Sequence, residues 1–186
     1  MSTISYMKNF IKDRNIASVT PTSKQGVREI ANRMDFTKPM TIVEYGPATG
    51  VFTEHLLERM TDDSLIIAIE MNENFVHELQ GNVNDSRLIV CHDSAENVDT
   101  IVEQYASSAD YALSGIPFSL MDDSMRSRIV QKTSQVLKEG GRFFPYQTFF
   151  QKDAHLLDHL KQHFPAVKDE YFFRNLPPMR LYEAAK

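Results

Sequence analysis

Read as apolar and polar positions, the chain alternates between two signatures. Short, nearly continuous apolar runs suit strands buried on both faces, and longer segments with apolar residues every three or four positions suit helices. The runs are TIVEYG (41–46), LIIAIE (65–70), RLIVCHD (87–93), ADYALSG (109–115) and RFFPYQTFF (142–150). Between them lie VFTEHLLERM (51–60), NENFVHEL (72–79), ENVDTIVEQY (96–105) and SMRSRIVQKTSQVLKEGG (124–141), the last read as a helix closed by its glycine pair. AHLLDHLKQHF (154–164) continues as a helix, and KDEYFF with MRLYEA forms a closing hairpin across RNLPP. Strand–helix alternation of this kind predicts an α/β fold, a mostly parallel sheet with helices on both faces. The terminal strand pair, with no helix between its members, predicts one antiparallel strand near an edge.

Ahead of this pattern, Ile4, Met7 and Ile11 share a helical face with Phe10 close by, while Lys8, Lys12 and Arg14 fall on the polar side. SVTPTS breaks that helix, and Pro21 with Ser23 starts a second one running to about Met34. The reading is a leading helix and linker over 1–20 and a single domain over 21–186.

Composition narrows the class. A 186-residue chain that is 42% apolar supports one domain with a substantial core. A single cysteine, Cys91, excludes an intrachain disulfide framework, and together with histidines that lack paired ligand spacing it predicts no metal site. His155 and His159 are read as surface residues. No apolar run approaches spanning length and no signal-peptide pattern opens the chain, so the expected location is cytoplasmic. The net charge of −5 is uneven: residues 1–38 carry +4 and the remainder −9. An acidic body disfavours a broad nucleic-acid footprint. The basic start fits either an anionic surface or plain solvation.

The candidate chemistry sits at successive strand ends. In VEYGPATG, Gly46 and Gly50 bracket a turn into a helix. Glycines there let a ligand approach the backbone, and the helix start offers free N–H groups. The turn lacks the full dinucleotide fingerprint, which together with the absence of a separate catalytic domain argues against a nicotinamide oxidoreductase. Glu70 ends the second strand, where an acid can accept from both hydroxyls of a ribose. Asp93 ends the third, placed to accept from an adenine amino group, with small Ser94 and Ala95 leaving room for the base. In an open parallel sheet these ends form one crevice.

VEYGPATG, AIE and HDSA together resemble the cofactor motifs of class I S-adenosylmethionine-dependent methyltransferases. The resemblance implies a Rossmann-like sheet ordered 3-2-1-4-5-7-6 with strand 7 antiparallel, and S-adenosyl-L-methionine as cofactor. It assigns Gly46, Ala48 and Gly50 to the methionine part and Glu70 to the ribose, with Glu44, Pro47 and Met71 as further cofactor-binding residues. It assigns Asp93, Ser94 and Ala95 to the adenine, and Ser114 is also counted as cofactor-binding. Ala48 stands where many members carry glycine.

The fourth strand ends Ser114-Gly115-Ile116-Pro117-Phe118. Ribosomal RNA adenine dimethylases are similar in the glycine turn, but carry Asn or Asp where Ser114 stands. Bacterial phosphatidylethanolamine N-methyltransferases resemble the chain here and at Arg174-Asn175-Leu176-Pro177-Pro178, at VEYGPATGVFT and at Ala17-Ser18-Val19-Thr20-Pro21-Thr22-Ser23. That resemblance implies methyl transfer to the phosphatidylethanolamine amine, with residues 1–14 as an amphipathic helix against anionic membrane lipid on the inner face. Ser114, Tyr146 and Tyr6 are the catalytic candidates. His92 is a further polar group that reads better as structural, and core packing is the competing reading for each aromatic. The alternatives are an RNA adenine N6-methyltransferase-like enzyme, a small-molecule N-methyltransferase, and a non-catalytic S-adenosylmethionine-binding protein.

Overall fold

A computed structural model describes residues 24–148, 154–173 and 178–186. The leading helix, the SVTPTS segment and most of RNLPP lie outside the described residues. Seven strands form one sheet in the order β3-β2-β1-β4-β5-β7-β6. They are β1 (Thr41–Tyr45), β2 (Leu65–Glu70), β3 (Leu88–His92), β4 (Ala109–Ser114), β5 (Leu137–Thr148), β6 (Ala166–Phe172) and β7 (Met179–Ala185). β1 to β5 pair in parallel, and β7 runs antiparallel to both β5 and β6. This is the Rossmann-like class I methyltransferase topology that the motifs imply.

Alternation along the central strands sorts the core into two layers. On one face Ile42, Ile66, Leu113 and Phe144 meet helices α1 (Lys24–Ala31), α2 (Val51–Leu57) and α3 (Glu73–Asn82). On the other Val43, Ile67, Ala112 and Phe143 meet α4 (Val98–Tyr105), α5 (Asp123–Val136) and α6 (Ala154–His163). In α1, Val27, Ile30 and Ala31 are buried at helical spacing, and Met34 continues that face past the helix end. Side-chain caps fix two helix starts: Asn72 accepts from the Asn74 N–H and Asp122 from the Met125 N–H. The edge strand β6 carries Lys168, Asp169 and Glu170, charges that discourage pairing with another chain.

Two expectations need correction. α5 ends at Val136, and Leu137-Lys138-Glu139-Gly140-Gly141 opens β5 instead of closing the helix. Leu137 pairs with Ala109, and the register slips before Arg142 meets Tyr111. Gly140, at φ 76°, supplies the left-handed residue at that irregularity. His159 is buried, not a surface residue, and its Nε2 lies 2.9 Å from Asp123 Oδ1. It follows Leu156 and precedes Leu160 on the face of α6 that packs into the core.

Candidate active site at the C-terminal ends of β1 to β5

Hydrogen bonds join the strand ends into one row. The Gly46 N–H donates to the Ile69 carbonyl at 2.9 Å, the Asp93 N–H to the Glu70 carbonyl at 3.1 Å, and the Gly115 N–H to the Tyr45 carbonyl at 3.1 Å. The turn after β1 alternates into the left-handed region at Gly46 (φ 66°), Ala48 (φ 49°) and Gly50 (φ 86°). At two of these glycine is favoured by φ, and a Cβ would also press on a neighbouring side chain. A Cβ on Gly46 would lie 2.9 Å from Ile116, and one on Gly50 would lie 2.5 Å from Leu79. Ala48 holds a conformation that costs an L-residue about 1–2 kcal/mol. Its N–H donates to Glu70 Oε2 at 3.3 Å, which ties the turn to the end of β2. Pro47 is buried within the turn.

Two buried carboxyls flank this turn. Glu44, 2% exposed, accepts from the Thr53 hydroxyl at 2.7 Å. Burial raises its pKa to about 7, against the opposing pull of the Thr53 bond. Glu70 is also raised by burial, opposed by the N–H groups of Asn72 and Ala48. The Asn72 N–H reaches Glu70 Oε1 at 2.8 Å. Each carboxylate oxygen has two lone pairs, so these bonds leave acceptor capacity on both oxygens.

Asp93 Oδ1 accepts from the Ser94 N–H at 2.6 Å and from Asn97 Nδ2 at 2.8 Å, fixing the short 3-10 turn at Ala95–Asn97. A cavity of about 380 Å³ opens beside it. Met71, Ser94, Glu96 and Asn97 line one wall, and Met125, Arg128 and Lys132 of α5 line the other. Ser94 therefore faces the cavity, whereas Ala95 packs into the core. The α5 wall reaches the crevice only through tertiary packing. Its members are one to two helical turns apart, but nothing in their spacing points to a crevice at the end of β3. Arg128 pairs with Glu96 at 2.7 Å, and Lys132 with Asp99 at 2.9 Å and the Glu96 carbonyl at 2.7 Å, so both cations are positioned.

The catalytic candidates separate. Ser114 is fully buried at the end of β4, and its Oγ has no hydrogen-bond partner. Tyr146 lies on the other face of the sheet, stacked on Phe52 at 5.5 Å. Its hydroxyl sits 2.5 Å from where a Gly115 Cβ would be, so only glycine fits between β4 and this ring. His92 Nε2 lies 3.1 Å from the Met71 carbonyl, a structural contact. Tyr6 lies outside the described residues. Among the described residues no group of three His, Cys, Asp or Glu side chains is arranged to hold a metal, and no helix is long and apolar enough to cross a membrane.

Comparison with known proteins gives three kinds of likeness. The family model for ribosomal RNA adenine dimethylase matches residues 3–111. An ornithine lipid N-methyltransferase from Singulisphaera acidiphila is 24% identical over 176 residues, covering 90% of this chain and 86% of the relative. Ribosomal RNA small subunit methyltransferase A from Mycoplasma capricolum is 27% identical over 135 residues. That match covers 70% of this chain but 43% of the relative, so the chain spans less than half of that protein's length. Among solved structures, magnesium protoporphyrin IX methyltransferase from Synechocystis PCC 6803, with bound S-adenosylmethionine, superposes with a TM-score of 0.74. The match is at 10% identity and covers 100% of this chain and 98% of that one. That likeness is one of fold.

Proposed function

The chain belongs to the ribosomal RNA adenine dimethylase family and is an S-adenosylmethionine-dependent methyltransferase; from that premise we propose that it methylates the nitrogen of a primary amine carried on a lipid head group. The observation that carries this reading is the buried, unpartnered Ser114 hydroxyl at the end of β4, where the resemblance to adenine dimethylases implies an Asn or Asp that accepts from the reacting nitrogen. The lipid is supported by the ornithine lipid N-methyltransferase, whose likeness runs over most of both chains. Phosphatidylethanolamine offers the same kind of amine.

The donors and acceptors at the strand ends support this cofactor placement. Glu70 retains acceptor capacity for the two hydroxyls of a ribose, with Met71 beside it. The cavity past Met71 and Ser94 has room for a purine, and Asp93 precedes Ser94 at the end of β3. The turn, left-handed at Gly46, Ala48 and Gly50 with Pro47 buried in it, would keep side-chain bulk away from the methionine part, and Glu44 precedes it as a buried carboxyl whose pKa is raised to about 7. When bound, S-adenosylmethionine supplies a methyl group already activated by its sulfonium charge. The chain's own residues must bind, exclude water, and hold an uncharged amine in line. The amphipathic segment at residues 1–14 would bring the enzyme to anionic lipid by combining an apolar face with Lys8, Lys12 and Arg14.

A second reading, an adenine amine of RNA, is favoured by the family model and the Mycoplasma relative. Labelled-methyl transfer separates the two. The purified chain is offered phosphatidylethanolamine vesicles, ornithine lipid vesicles, small-subunit ribosomal RNA and free ethanolamine in parallel. Label entering a lipid arm supports the lipid reading and distinguishes its head group. Label entering RNA alone moves the assignment to adenine, and label entering ethanolamine alone moves it to a soluble amine.

A further inference from the structure

β5 carries a buried polar side chain that the crevice described above does not use. Gln147 is 2% exposed, and neither its Nε2 nor its Oε1 has a hydrogen-bond partner. Its strand neighbours are Phe143, Phe144, Pro145 and Tyr146, so a carboxamide interrupts an otherwise apolar and aromatic run. Buried polar atoms left this way weaken a fold and call for an explanation. The nearest cation across the β5–β7 pair, Arg180, is committed to Asp169 through two bonds of 2.8 and 2.6 Å.

Register places Gln147 close to the other orphan. Ser114 of β4 stands beside Pro145 of β5. Side chains alternate along a strand, so Pro145 and Gln147 share the Ser114 face of the sheet, the face where Ala112 and Phe143 meet α5. Gln147 lies one pleat beyond Ser114, about 6–7 Å further toward the C-terminal edge. Two buried, unpartnered polar groups therefore occupy one face, on neighbouring strands, at the edge that holds the crevice.

We propose that Ser114 Oγ and Gln147 Oε1 are paired acceptors for the two N–H bonds of a neutral primary amine, with Gln147 selecting for that amine class. This rests on the amine methyltransferase reading. A neutral primary amine has two N–H donors and one lone pair. Two fixed oxygens that take both hydrogens leave the lone pair to point elsewhere. Uncharged oxygens also suit the reacting species: a carboxylate in either place would favour the ammonium form, which has no lone pair to give. In the reaction the nitrogen lone pair forms the new C–N bond while the methyl carbon's bond to sulfur breaks, its electrons passing to sulfur. The resulting secondary ammonium releases one proton to solvent. A secondary amine then fills one of the two acceptors and a tertiary amine neither, so acceptor preference falls from primary to secondary to tertiary.

The test uses the full chain as wild type, Gln147→Met and Gln147→Asn. Thermal unfolding, calorimetric titration of S-adenosylmethionine, and kcat/KM are measured with whichever amine the four-arm assay finds the wild type to use. The near-isosteric Gln147→Met removes the orphaned amide. It is expected to raise the unfolding midpoint, keep cofactor Kd within twofold, and lower kcat/KM for the primary amine at least tenfold, with a smaller loss on the secondary amine. Gln147→Asn keeps the amide one methylene short and is expected to fall between the two, chiefly through KM. A Gln147→Met chain that unfolds earlier than wild type, or that keeps kcat/KM within twofold while wild type is active, overturns this inference alone. A wild type that methylates no amine in any arm overturns the functional reading and this inference with it.

Discussion

The two ends of the sheet follow opposite rules. Toward the N-terminal ends of the parallel strands, and along the β6–β7 pair, charges are matched. Arg33 reaches Glu170 at 2.6 Å and Glu183 at 2.8 Å, and Arg142 and Lys168 also reach Glu183. Asp110 pairs with Lys138 and accepts from the Thr41 N–H at 2.8 Å. Arg87 binds Asp85 and the carbonyls of Leu57 and Met60, where α2 ends. At the opposite end Glu44 and Glu70 are buried with hydroxyl and backbone donors instead of cations, Ala48 is left-handed, and Ser114 and Gln147 have no partners. A fold whose other end is saturated can tolerate this. Arg128 and Lys132 are matched to Glu96 and Asp99 on the crevice wall, so the contrast is confined to the ends of β1, β2, β4 and β5. There the strain of Ala48 and the unmet polarity of Ser114 and Gln147 lie at one edge of the sheet, whereas other unpartnered buried atoms, such as His55 Nε2 and His159 Nδ1, lie on helices.

The largest effect should come from the saturated end. Arg33→Ala removes the cation that joins the segment after α1 to β6 and β7, and leaves Glu183, at 8% side-chain exposure, with poorer partners. Stability should fall by about 2–3 kcal/mol, read by urea unfolding. Cofactor affinity in the folded variant should not move. A Kd that shifts along with stability would erase the division between the two ends.

At the crevice the balance reverses. Glu70→Ala should weaken S-adenosylmethionine binding by about 1–3 kcal/mol through lost ribose hydrogen bonds, while stability changes little. Unchanged affinity by calorimetry in a folded Glu70→Ala chain would remove Glu70 from the ribose site.

How much of this contrast the residues announce depends on what each end is made of. The strands follow from the apolar runs and their order from the resemblance of the motifs, and Gly46, Glu70 and Asp93 are visible because their chemistry falls at strand ends. Leu137-Lys138-Glu139-Gly140-Gly141 misleads because a glycine pair after a helical pattern looks like a C-cap, whereas Gly140 serves a strand irregularity. His159 reads as a surface residue because histidine is polar, although its place between Leu156 and Leu160 puts it on the apolar face of its helix. The cavity wall of Arg128 and Lys132 was not legible, since tertiary packing brings α5 against the end of β3. Gln147 did leave a signal: a carboxamide inside an apolar run.

Glu44 gives a smaller, pH-dependent test. Its pKa is raised from 4.5 to about 7, so the folded chain holds a proton that the unfolded chain has already lost across that interval. The group's contribution to stability is fully present below 4.5 and is lost as pH rises through about 7. Glu44→Gln should flatten that part of the stability profile. Cofactor affinity should run the other way in wild type, tightening as pH rises and Glu44 ionises beside a cationic ligand, and Glu44→Gln should abolish the trend. A wild-type affinity that stays level between pH 6 and 8 would place the carboxyl outside the cofactor's reach.

The finest test of the contrast is Ala48. Its φ of 49° is the one positive value on a described non-glycine residue, and its neighbours Gly46 and Gly50 share the conformation without steric cost. Ala48→Gly relieves about 1–2 kcal/mol of left-handed strain but loosens the unfolded chain by about 0.4–1 kcal/mol. The net gain should be about 0.5–1 kcal/mol in urea unfolding, with the N–H to Glu70 retained because it is backbone. Ala48→Val should lose stability, since a β-branched residue is worse in that region. If alanine holds the turn in the shape the cofactor needs, Ala48→Gly will be more stable and will bind S-adenosylmethionine more weakly, with strain and preorganisation traded at one residue. If the glycine variant is less stable than wild type, the turn is not strained at Ala48, and the division between a saturated and a strained edge loses its clearest member.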